Sequence, residues 1–254
     1  MDWCEDRSIT TVGDLTLTNV RLYQVHLVKT MADVSAKNHM VDVKTFLKFC
    51  VAQQIISESP AAKLKLPRVV ERLPKVLAPN QVRRLYAACE TDRERAALLV
   101  LIDTGCRAAE FCGINTGDID FTAGTITILA GKPRRDRRCY ICPKTQAALR
   151  AYIHAENVPR GALWRPERGN GRLTESGLTQ MLRRVGNRAD VHVTPHMMRR
   201  TFVTSLLRAG VDVFTLMKLS GHRSTEAMQP YIVLADTDAE NAHKQHSPVA
   251  ALFT

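Results

Sequence analysis

The sequence predicts a mainly α-helical protein that carries one small antiparallel β-sheet. Over most of the chain, apolar residues recur at intervals of three and four, which places them on one face of a helix. Between residues 118 and 143 the interval changes to two, and the pair Ala123-Gly124 offers a turn, so a hairpin or three-stranded sheet is expected there. A basic, proline-containing linker at residues 67–78 separates a helical N-terminal domain from a mixed C-terminal one.

Residues 1–66 are predicted to form the helical domain. One helix is expected to start between residues 14 and 18, and a second apolar pattern follows Ser35. The second pattern has a single apolar face, formed by Met40, Val43, Phe46, Leu47 and Val51. Lys37 and Lys44 lie off that face, where solvent and a DNA backbone are the two alternative partners.

The C-terminal domain is predicted to span residues 79–254, with a tail from about residue 236. Its helix boundaries follow from start and stop signals such as Pro79 at a first helical position and Gly105 just after a helix. Helices are predicted at residues 79–89, 93–104, 107–114, 143–155, 174–188, 195–209 and 212–220.

The charge balance favours a polyanionic partner. The 254 residues carry a net charge of +11, and the lysines and arginines are spread through structured segments, which favours nucleic acid over a membrane surface. A merely basic soluble protein is the alternative. The longest apolar run, residues 96–102, is too short to span a bilayer, and the acidic N-terminus lacks the apolar core of a signal peptide. A cytoplasmic location is therefore expected, without contact to a membrane.

The cysteine pattern gives no disulfide framework and no metal site. Seven cysteines are scattered along the chain, an odd number that is typical of reduced thiols in a cytosolic protein. Cys139 and Cys142 form the one CxxC pair, and no second pair completes a zinc site, so packing is the favoured interpretation.

Four residues between positions 194 and 231 could together bind and attack a phosphate. His196 and Arg199 are three apart on a predicted helix and share a face, and His196 lies in the first turn, where free N–H groups favour an anion. His222 follows a glycine at a helix end, and Tyr231 comes nine residues later. Each alone is more often a surface or packing residue.

Two further residues fit the same chemistry. Arg107 opens a predicted helix after Thr104-Gly105, and Lys132 lies on the hairpin loop, from which an ammonium group could reach a substrate. The order and spacing of all six residues point to one site.

Four motifs in this order resemble those of the tyrosine recombinases of the phage-integrase/Xer type. The family patterns are TGxRxxE, GKGxKxR, HxLRHTF and LGHxSxxTTxxY. Their counterparts here are TGCRAAEF (104–111), AGKPRRDRR (130–138), HMMRRTF (196–202) and LSGHRSTEAMQPY (219–231). Residues 35–67 resemble the family's helical core-binding domain. The resemblance implies a SAM-like core-binding domain followed by an α+β catalytic domain.

The resemblance also implies a role for each site residue. Arg107 and Arg199 clamp the scissile phosphate, His196 and His222 add hydrogen bonds or proton transfer, and Tyr231 is the nucleophile. Lys132 protonates the leaving 5′-oxygen, and Glu110 supports Arg107. The reaction passes through a 3′-phosphotyrosine and needs no ATP, metal or other cofactor.

This assignment is physically coherent. A tyrosine with a pKa near 10 is a poor nucleophile at neutral pH and needs a strong positive field. Two guanidinium groups supply that field at the nonbridging oxygens, where a metal ion would act in other enzymes.

The chain departs from the family patterns at several positions. Pro133 stiffens the hairpin loop, and Arg200 stands where a histidine is usual. Pro230 disfavours helix at Gln229, so a helix from Ser224 is expected to break and to leave Tyr231 on a bend. The family's core-binding domain opens with a further helix, and the first residues of this chain resemble only the end of that helix. Either a reduced domain or a truncated chain is therefore expected.

Three functions remain open from the sequence. A site-specific recombinase or integrase acts as a tetramer on paired double-stranded DNA sites, with the tail docked on a neighbouring protomer or packed on its own domain. A type IB topoisomerase or a hairpin-forming resolvase would use the same chemistry, and a non-catalytic DNA-binding module would not need it. Candidate DNA contacts are Lys37, Lys44, Arg134, Arg135, Arg183, Arg184 and Arg200.

Overall fold

The computed structural model describes residues 2–68, 74–129, 136–167, 169–222, 224–235 and 249. The chain divides into two compact units, Met1–Arg72 and Leu73–Thr254. The boundary lies inside the predicted linker at residues 67–78. Residues 69–73 of that linker lie outside the described residues, as does the predicted tail from residue 236 apart from residue 249.

The N-terminal unit is built on two helices, α2 (Leu17–Thr30) and α3 (Asp33–Ala52), after a short α1 (Asp2–Glu5). The Thr16 side chain caps α2 by accepting a hydrogen bond from the backbone of Asn19. The apolar faces of these helices meet in a separate small core, formed by Val20, Leu27, Ala36, Met40, Leu47, Ala61 and Leu64. This unit therefore has its own source of stability.

The C-terminal unit is a helical assembly with one sheet. Its helices are α4 (Pro79–Ala87), α5 (Asp92–Thr104), α6 (Ala108–Gly113), α7 (Pro143–Ala155), α8 (Glu175–Ala189), α9 (Pro195–Arg208), α10 (Val213–Ser220) and α11 (Gln229–Ala235). Each predicted helix of this unit is found within two residues of its expected ends. Capping explains this agreement, because Thr91, Thr174, Thr194 and Asp212 each accept a hydrogen bond from the first turn of the helix that follows.

The sheet has three antiparallel strands in the order β1-β2-β3. They are β1 (Ile119–Asp120), β2 (Thr125–Ile128) and β3 (Arg137–Tyr140). In the register of β2 and β3, Ile126 lies opposite Cys139 and Ile128 lies opposite Arg137. The alternation along β3 turns Arg137 and Cys139 to the protein side and leaves Arg138 and Tyr140 exposed.

The core of this unit centres on α5, which is buried along most of its length. Three stacked aromatic rings add to the core, with Trp164 between Phe111 at 4.4 Å and Tyr152 at 5.2 Å. A smaller cluster under α9, α10 and α11 contains Phe202, Val203, Leu216, Met228 and Tyr231. The predicted class, mainly α with a small antiparallel sheet, is confirmed.

The prediction for the segment before Tyr231 is correct in one respect and wrong in another. Residues 225–228 form turns, so the helix does not run unbroken from 225 to 233. Tyr231, however, lies in the first turn of α11 and not on a bend. Pro230 is tolerated there because a backbone N–H in the first turn of a helix has no intrahelical acceptor.

Among the helices of the described residues, none combines the length and apolar composition that a membrane span requires.

Candidate active site

Arg199 lies at the centre of the site, on the buried side of α9, and is only 3% exposed. Its Nη1 donates a 2.6 Å hydrogen bond to the carbonyl oxygen of Gly105. Gly105 ends α5 with a φ of +55°, and a Cβ at this position would collide with the ring of Phe202. Burial and the nearby Arg107 lower the pKa of Arg199 to about 10, which leaves the guanidinium charged at neutral pH.

Arg107 is the residue that precedes α6, and it is joined to Glu110 at two places. Its backbone N–H donates to Glu110 Oε2 at 2.8 Å and its Nη1 donates to Oε1 at 2.9 Å. Its Nη2 reaches the carbonyl oxygen of Gly221, 3.2 Å away. The Arg107 side chain remains 36% exposed, so part of the guanidinium faces the cavity and solvent. The two contacts hold both the backbone and the side chain of Arg107 against Glu110.

Arg137 is a site residue that the sequence reasoning did not single out. From β3, it donates to both oxygens of Glu110, at 3.0 and 2.8 Å, and its Nε lies 3.3 Å from the carbonyl oxygen of Leu219. Two signals could have found it: it aligns with the arginine that ends the family pattern GKGxKxR, and strand alternation turns it inward with Cys139. Arg137 thus joins the sheet, α6 and the end of α10.

Glu110 is the shared acceptor of these two arginines, and its side chain is only 7% exposed. Burial alone would raise its pKa, but the hydrogen bonds from Arg137 and from the backbone of Arg107 lower the pKa of Glu110 to about 2. The carboxylate is therefore ionised at any physiological pH. It neutralises part of the positive charge behind the site.

His222 lies beyond the end of α10, which Gly221 terminates with a φ of +69°. Its ring nitrogens lie 3.3 Å (Nε2) and 3.5 Å (Nδ1) from Arg199 Nη2, and Nδ1 lies 2.6 Å from Ser220 Oγ. Burial and the positive charges of Arg199, Arg107 and Arg137 lower the pKa of His222 to about 4. The imidazole is neutral at pH 7 in the protein without a ligand.

His196 lies in the first turn of α9 and lines a cavity of about 330 Å³ together with Arg107 and Arg199. Thr179 and Thr194 complete the polar part of the wall. Partial burial, followed by the charges of Arg200 and Arg199, lowers the pKa of His196. The cavity is therefore walled by two guanidinium groups and a neutral imidazole.

Tyr231 faces the same site from α11. Its ring centroid lies 6.0 Å from that of His222, with the two planes tilted by 56°. The residue is 6% exposed and packs in the cluster with Phe202 and Met228. The phenol thus belongs to the same chain as the arginines it faces.

None of the remaining candidates that the structure describes lines this cavity. Lys132, Arg134 and Arg135 lie outside the described residues. In the N-terminal unit, Lys37 is exposed, and Lys44 donates a hydrogen bond to the carbonyl oxygen of Leu64. Both arginines predicted on α8 are exposed, and Arg184 is ion-paired with Glu167 at 2.6 Å; Arg200 on α9 is half-buried.

The assembled groups suit an oxyanion that carries one or two charges. Two planar guanidinium groups and the imidazole of His196 line one cavity. Arg199 also contacts His222, and the ring of His222 lies beside that of Tyr231. Among the residues described by the structure, no group of three or more His, Cys, Asp or Glu side chains could hold a metal ion. Cys139 is buried in the core, whereas Cys142 is exposed, so the packing interpretation of the CxxC pair holds for only one of its two cysteines.

Comparison with known proteins identifies the class of this site. Residues 75–238, which cover most of the C-terminal unit and all the site residues, match the phage integrase family. The chain belongs to the phage integrase family. It is a site-specific tyrosine recombinase, and the enzyme class that the four motifs predicted is confirmed.

Relatives of this recombinase match over most of both chains. The chain is 28% identical over 246 residues to tyrosine recombinase XerC of Anoxybacillus flavithermus, covering 91% of this chain and 81% of XerC. It is 30% identical over 224 residues to tyrosine recombinase XerA of Thermococcus kodakarensis, covering 86% and 78% of the two chains.

Solved structures show the same fold. A crystal structure of XerA recombinase superposes with a TM-score of 0.64 at 25% identity, over 97% of this chain and 88% of XerA. A post-cleavage complex of the XerH site-specific recombinase with palindromic difH substrate superposes with a TM-score of 0.76 at 18% identity, over 91% and 72% of the two chains.

Proposed function

We propose that this recombinase cleaves one strand of double-stranded DNA by attack of Tyr231 on a phosphodiester held between Arg107, Arg199 and the two histidines. The attack forms a 3′-phosphotyrosine and releases a 5′-hydroxyl. Reversal of the same step by a 5′-hydroxyl rejoins the strand without ATP. The observation that carries this proposal is the convergence of Arg199, His222 and Tyr231 within one chain.

Electrostatic stabilisation is the main source of rate in this proposal. The nonbridging oxygens gain negative charge as the pentacovalent transition state forms, and fixed guanidinium donors oppose that charge without reorganising. Glu110 holds Arg107 by an ion pair and Gly105 holds Arg199 by a hydrogen bond, so both donors are oriented before DNA binds.

Proton transfer to the leaving 5′-oxygen is assigned to Lys132. The alkoxide leaves poorly unless it is protonated, and a lysine ammonium is an effective acid at a position close to the phosphate. Arg134 and Arg135 on the same loop are poor acids, because a guanidinium does not give up its proton near neutral pH. Lys132→Arg is therefore expected to keep DNA binding and to cleave much more slowly.

A covalent-trapping experiment tests the reaction. The protein is incubated with a duplex that carries its target site and a nick just downstream of the cleaved phosphodiester. The short fragment that bears the released 5′-hydroxyl then diffuses away, and rejoining is prevented. An adduct that survives SDS and forms in the presence of EDTA is expected with the wild-type protein. Tyr231→Phe is the matched control and should give none. An adduct that persists in Tyr231→Phe would show that another residue is the nucleophile.

The same proposal implies how the protein assembles on DNA. Four protomers are expected to assemble on two paired DNA sites, with the tail from about residue 236 contributing to contacts between protomers. Lys37, Arg183 and Arg200 are the described candidates for phosphate contacts, with Lys44 and Arg184 depending on release of their present partners. We place the protein in the cytoplasm, where DNA and reduced thiols occur together.

Sedimentation of the protein with and without paired-site DNA tests the assembly. A tetramer on two duplexes is expected. Relaxation of supercoiled DNA by a protein that stays monomeric would instead favour type IB topoisomerase activity.

A further inference from the structure

Ser220 carries a buried hydroxyl beside the site to which no role has been given above. It is the last residue of α10 and is 0% exposed. Its Oγ lies 2.6 Å from the carbonyl oxygen of Leu216 and 2.6 Å from Nδ1 of His222. A carbonyl oxygen can only accept, so the single hydroxyl proton is donated to Leu216. The lone pairs of Oγ are then left to accept a hydrogen bond from His222.

Arg199 contacts the same ring. Its Nη2 lies 3.3 Å from Nε2 and 3.5 Å from Nδ1 of His222, so these distances do not choose between the two nitrogens. The contact with Ser220 does: the one proton of the neutral imidazole sits on Nδ1, and Nε2 is the unprotonated nitrogen.

We propose that Ser220 is a positioning residue for DNA cleavage: its hydroxyl accepts Nδ1–H of His222 and so holds the imidazole in the tautomer that keeps the lone pair on Nε2. This inference rests on the proposed function. Ser220 does not reach the phosphate itself, since it acts through the ring that it orients.

The tautomer determines what His222 can do when DNA binds. In the free protein, Nε2 has a lone pair towards the site. Entry of the phosphodiester anion favours uptake of a proton from solvent at Nε2. The imidazolium then donates Nε2–H to a nonbridging oxygen, while Nδ1–H keeps its hydrogen bond to Oγ of Ser220. No bond to carbon or phosphorus changes in this step.

The groups around His222 explain why the proton arrives with the substrate. The positive or titratable side chains that face the ring from the neighbouring elements are Arg199 and His196 on α9, Arg107 before α6, Arg137 on β3 and Tyr231 on α11. Their combined positive charge disfavours the imidazolium until an anion offsets it.

Nitrogen NMR on the DNA-free protein tests the tautomer directly. Long-range proton–nitrogen correlation spectra distinguish the two tautomers of a histidine ring. The Nδ1–H form is expected for His222 in the wild type and in Thr204→Val, and a shift towards Nε2–H is expected in Ser220→Ala. Thr204 is a suitable control because its buried hydroxyl on α9 has no hydrogen-bond partner among the described residues. An Nε2–H wild type, or an unchanged Ser220→Ala spectrum, would overturn the proposal.

Single-turnover cleavage of the nicked duplex tests the consequence. The rate is expected to fall about five- to tenfold in Ser220→Ala, the factor that one neutral hydrogen bond is worth, with DNA affinity unchanged. The alkaline limb of the rate against pH should also move to lower pH, because the imidazolium that donates to the phosphate loses an acceptor for its Nδ1–H and gives up its proton more easily. If the cleavage rate of Ser220→Ala is lower than that of the wild type by the same factor at every pH, the role of Ser220 is merely structural and the inference is contradicted.

The two proposals fail in different ways. A wild-type protein that forms no adduct would contradict the proposed cleavage chemistry, whereas the NMR result decides the role of Ser220 on the free protein. Ser220→Ala is expected to fold, because alanine fills most of the serine volume and favours a helix.

Discussion

At Glu110, one buried carboxylate receives hydrogen bonds from two arginines that lie on different elements. Arg107 is expected to contact the substrate directly. Arg137 is expected to act on the substrate only indirectly, because it contacts Glu110 and the end of α10. Without Arg137, the carboxylate would be free to draw Arg107 away from the phosphate. Buried charges of this kind cost more when one partner is removed than the pair contributes to stability.

Replacement of Arg137 is therefore expected to harm both stability and cleavage. Arg137→Ala should lower the free energy of unfolding by about 3 kcal/mol, because it removes one partner of a buried ion pair. Cleavage of the nicked duplex should fall by at least about tenfold, since each 1.4 kcal/mol of lost transition-state stabilisation is a factor of ten. Urea unfolding and single-turnover kinetics measure the two effects.

Arg138→Ala is the matched control for this prediction. Arg138 is the next residue of the same strand and is exposed. Arg138→Ala therefore removes the same charge from the same strand as Arg137→Ala does. Equal losses in the two variants would contradict a specific role for Arg137.

The pKa shifts predict how the stability of the C-terminal unit depends on pH. The folded state resists protonation of His222 down to about pH 4, whereas an unfolded histidine takes up its proton near pH 6.5. Stability should therefore fall as the pH drops from about 6.5 towards 4, by roughly 1–2 kcal/mol between pH 7 and pH 5. Glu110 adds nothing in this interval, because its contribution is lost only below about pH 4.5.

Urea unfolding at pH 7 and pH 5, followed by the fluorescence of Trp164 in a Trp3→Phe background, measures this loss in the C-terminal unit. His222→Gln should retain more of its stability at pH 5 than the wild type does. His154→Gln, which changes an exposed histidine on α7, should behave as the wild type. The same pH dependence in all three proteins would exclude His222 as its source.

At the scale of elements, the ends of helices place the site. Gly105 ends α5 and offers its carbonyl oxygen to Arg199, whereas Gly221 ends α10 and offers its own to Arg107. Both glycines have a positive φ, which an L-residue with a side chain adopts at a cost. A Cβ at Gly221 would also lie 3.1 Å from Nη1 of Arg137.

Gly221→Ala is thus expected to reduce cleavage more than its effect on stability explains. Both Gly221→Ala and Gly210→Ala should lose about 1 kcal/mol from backbone strain, because both glycines have left-handed φ values of +69° and +82°. Nothing lies within 4 Å of a Cβ at Gly210, whereas at Gly221 the added methyl group displaces Arg137. Thermal unfolding and adduct yield separate the two effects. A Gly210→Ala variant as inactive as Gly221→Ala would show that strain alone is responsible.

The elements were largely predictable from the sequence because their ends are local. A threonine or aspartate cap, a proline at a first helical position and a glycine after the last turn act within a few residues, so they can be read without the fold. The position of Tyr231 was predicted less well. Pro230 signals an interruption, but whether it breaks a helix or begins one depends on the packing of Met228 and Tyr231 under α9.

The parts of the site that the sequence did not reveal are those that depend on long-range contacts. Arg137 and Glu110 are 27 residues apart, and only the pairing of β3 with the rest of the unit brings them to 2.8 Å. Ser220 has no distinguishing pattern, since its importance comes from the ring that turns back onto it from His222. Motifs identify residues that touch substrate more readily than residues that orient them.

At the scale of the whole molecule, the proposed function assigns the cleavage chemistry to one unit of the chain and part of the DNA binding to the other. All described site residues lie in Leu73–Thr254, which has its own core, and the N-terminal unit has a second core. In the proposed function, lysines of the N-terminal unit, including Lys37, add phosphate contacts, whereas none of the described residues of that unit is assigned to the chemistry. Deletion of residues 1–72 is therefore expected to weaken binding more than chemistry.

A protein that comprises residues 73–254 tests this separation. At saturating DNA its single-turnover cleavage rate should stay within about threefold of the full chain, because the arrangement of Arg107, Arg199, His222 and Tyr231 is internal to that unit. Its affinity should fall, and the slope of log K against log salt should become shallower by about 0.9 for each phosphate that the shortened chain no longer neutralises. Tyr231→Phe in the shortened chain controls for adducts that do not arise from the site. An unchanged slope would show that the N-terminal unit neutralises no phosphates, whereas a failure to cleave at saturation would show that it helps to build the site.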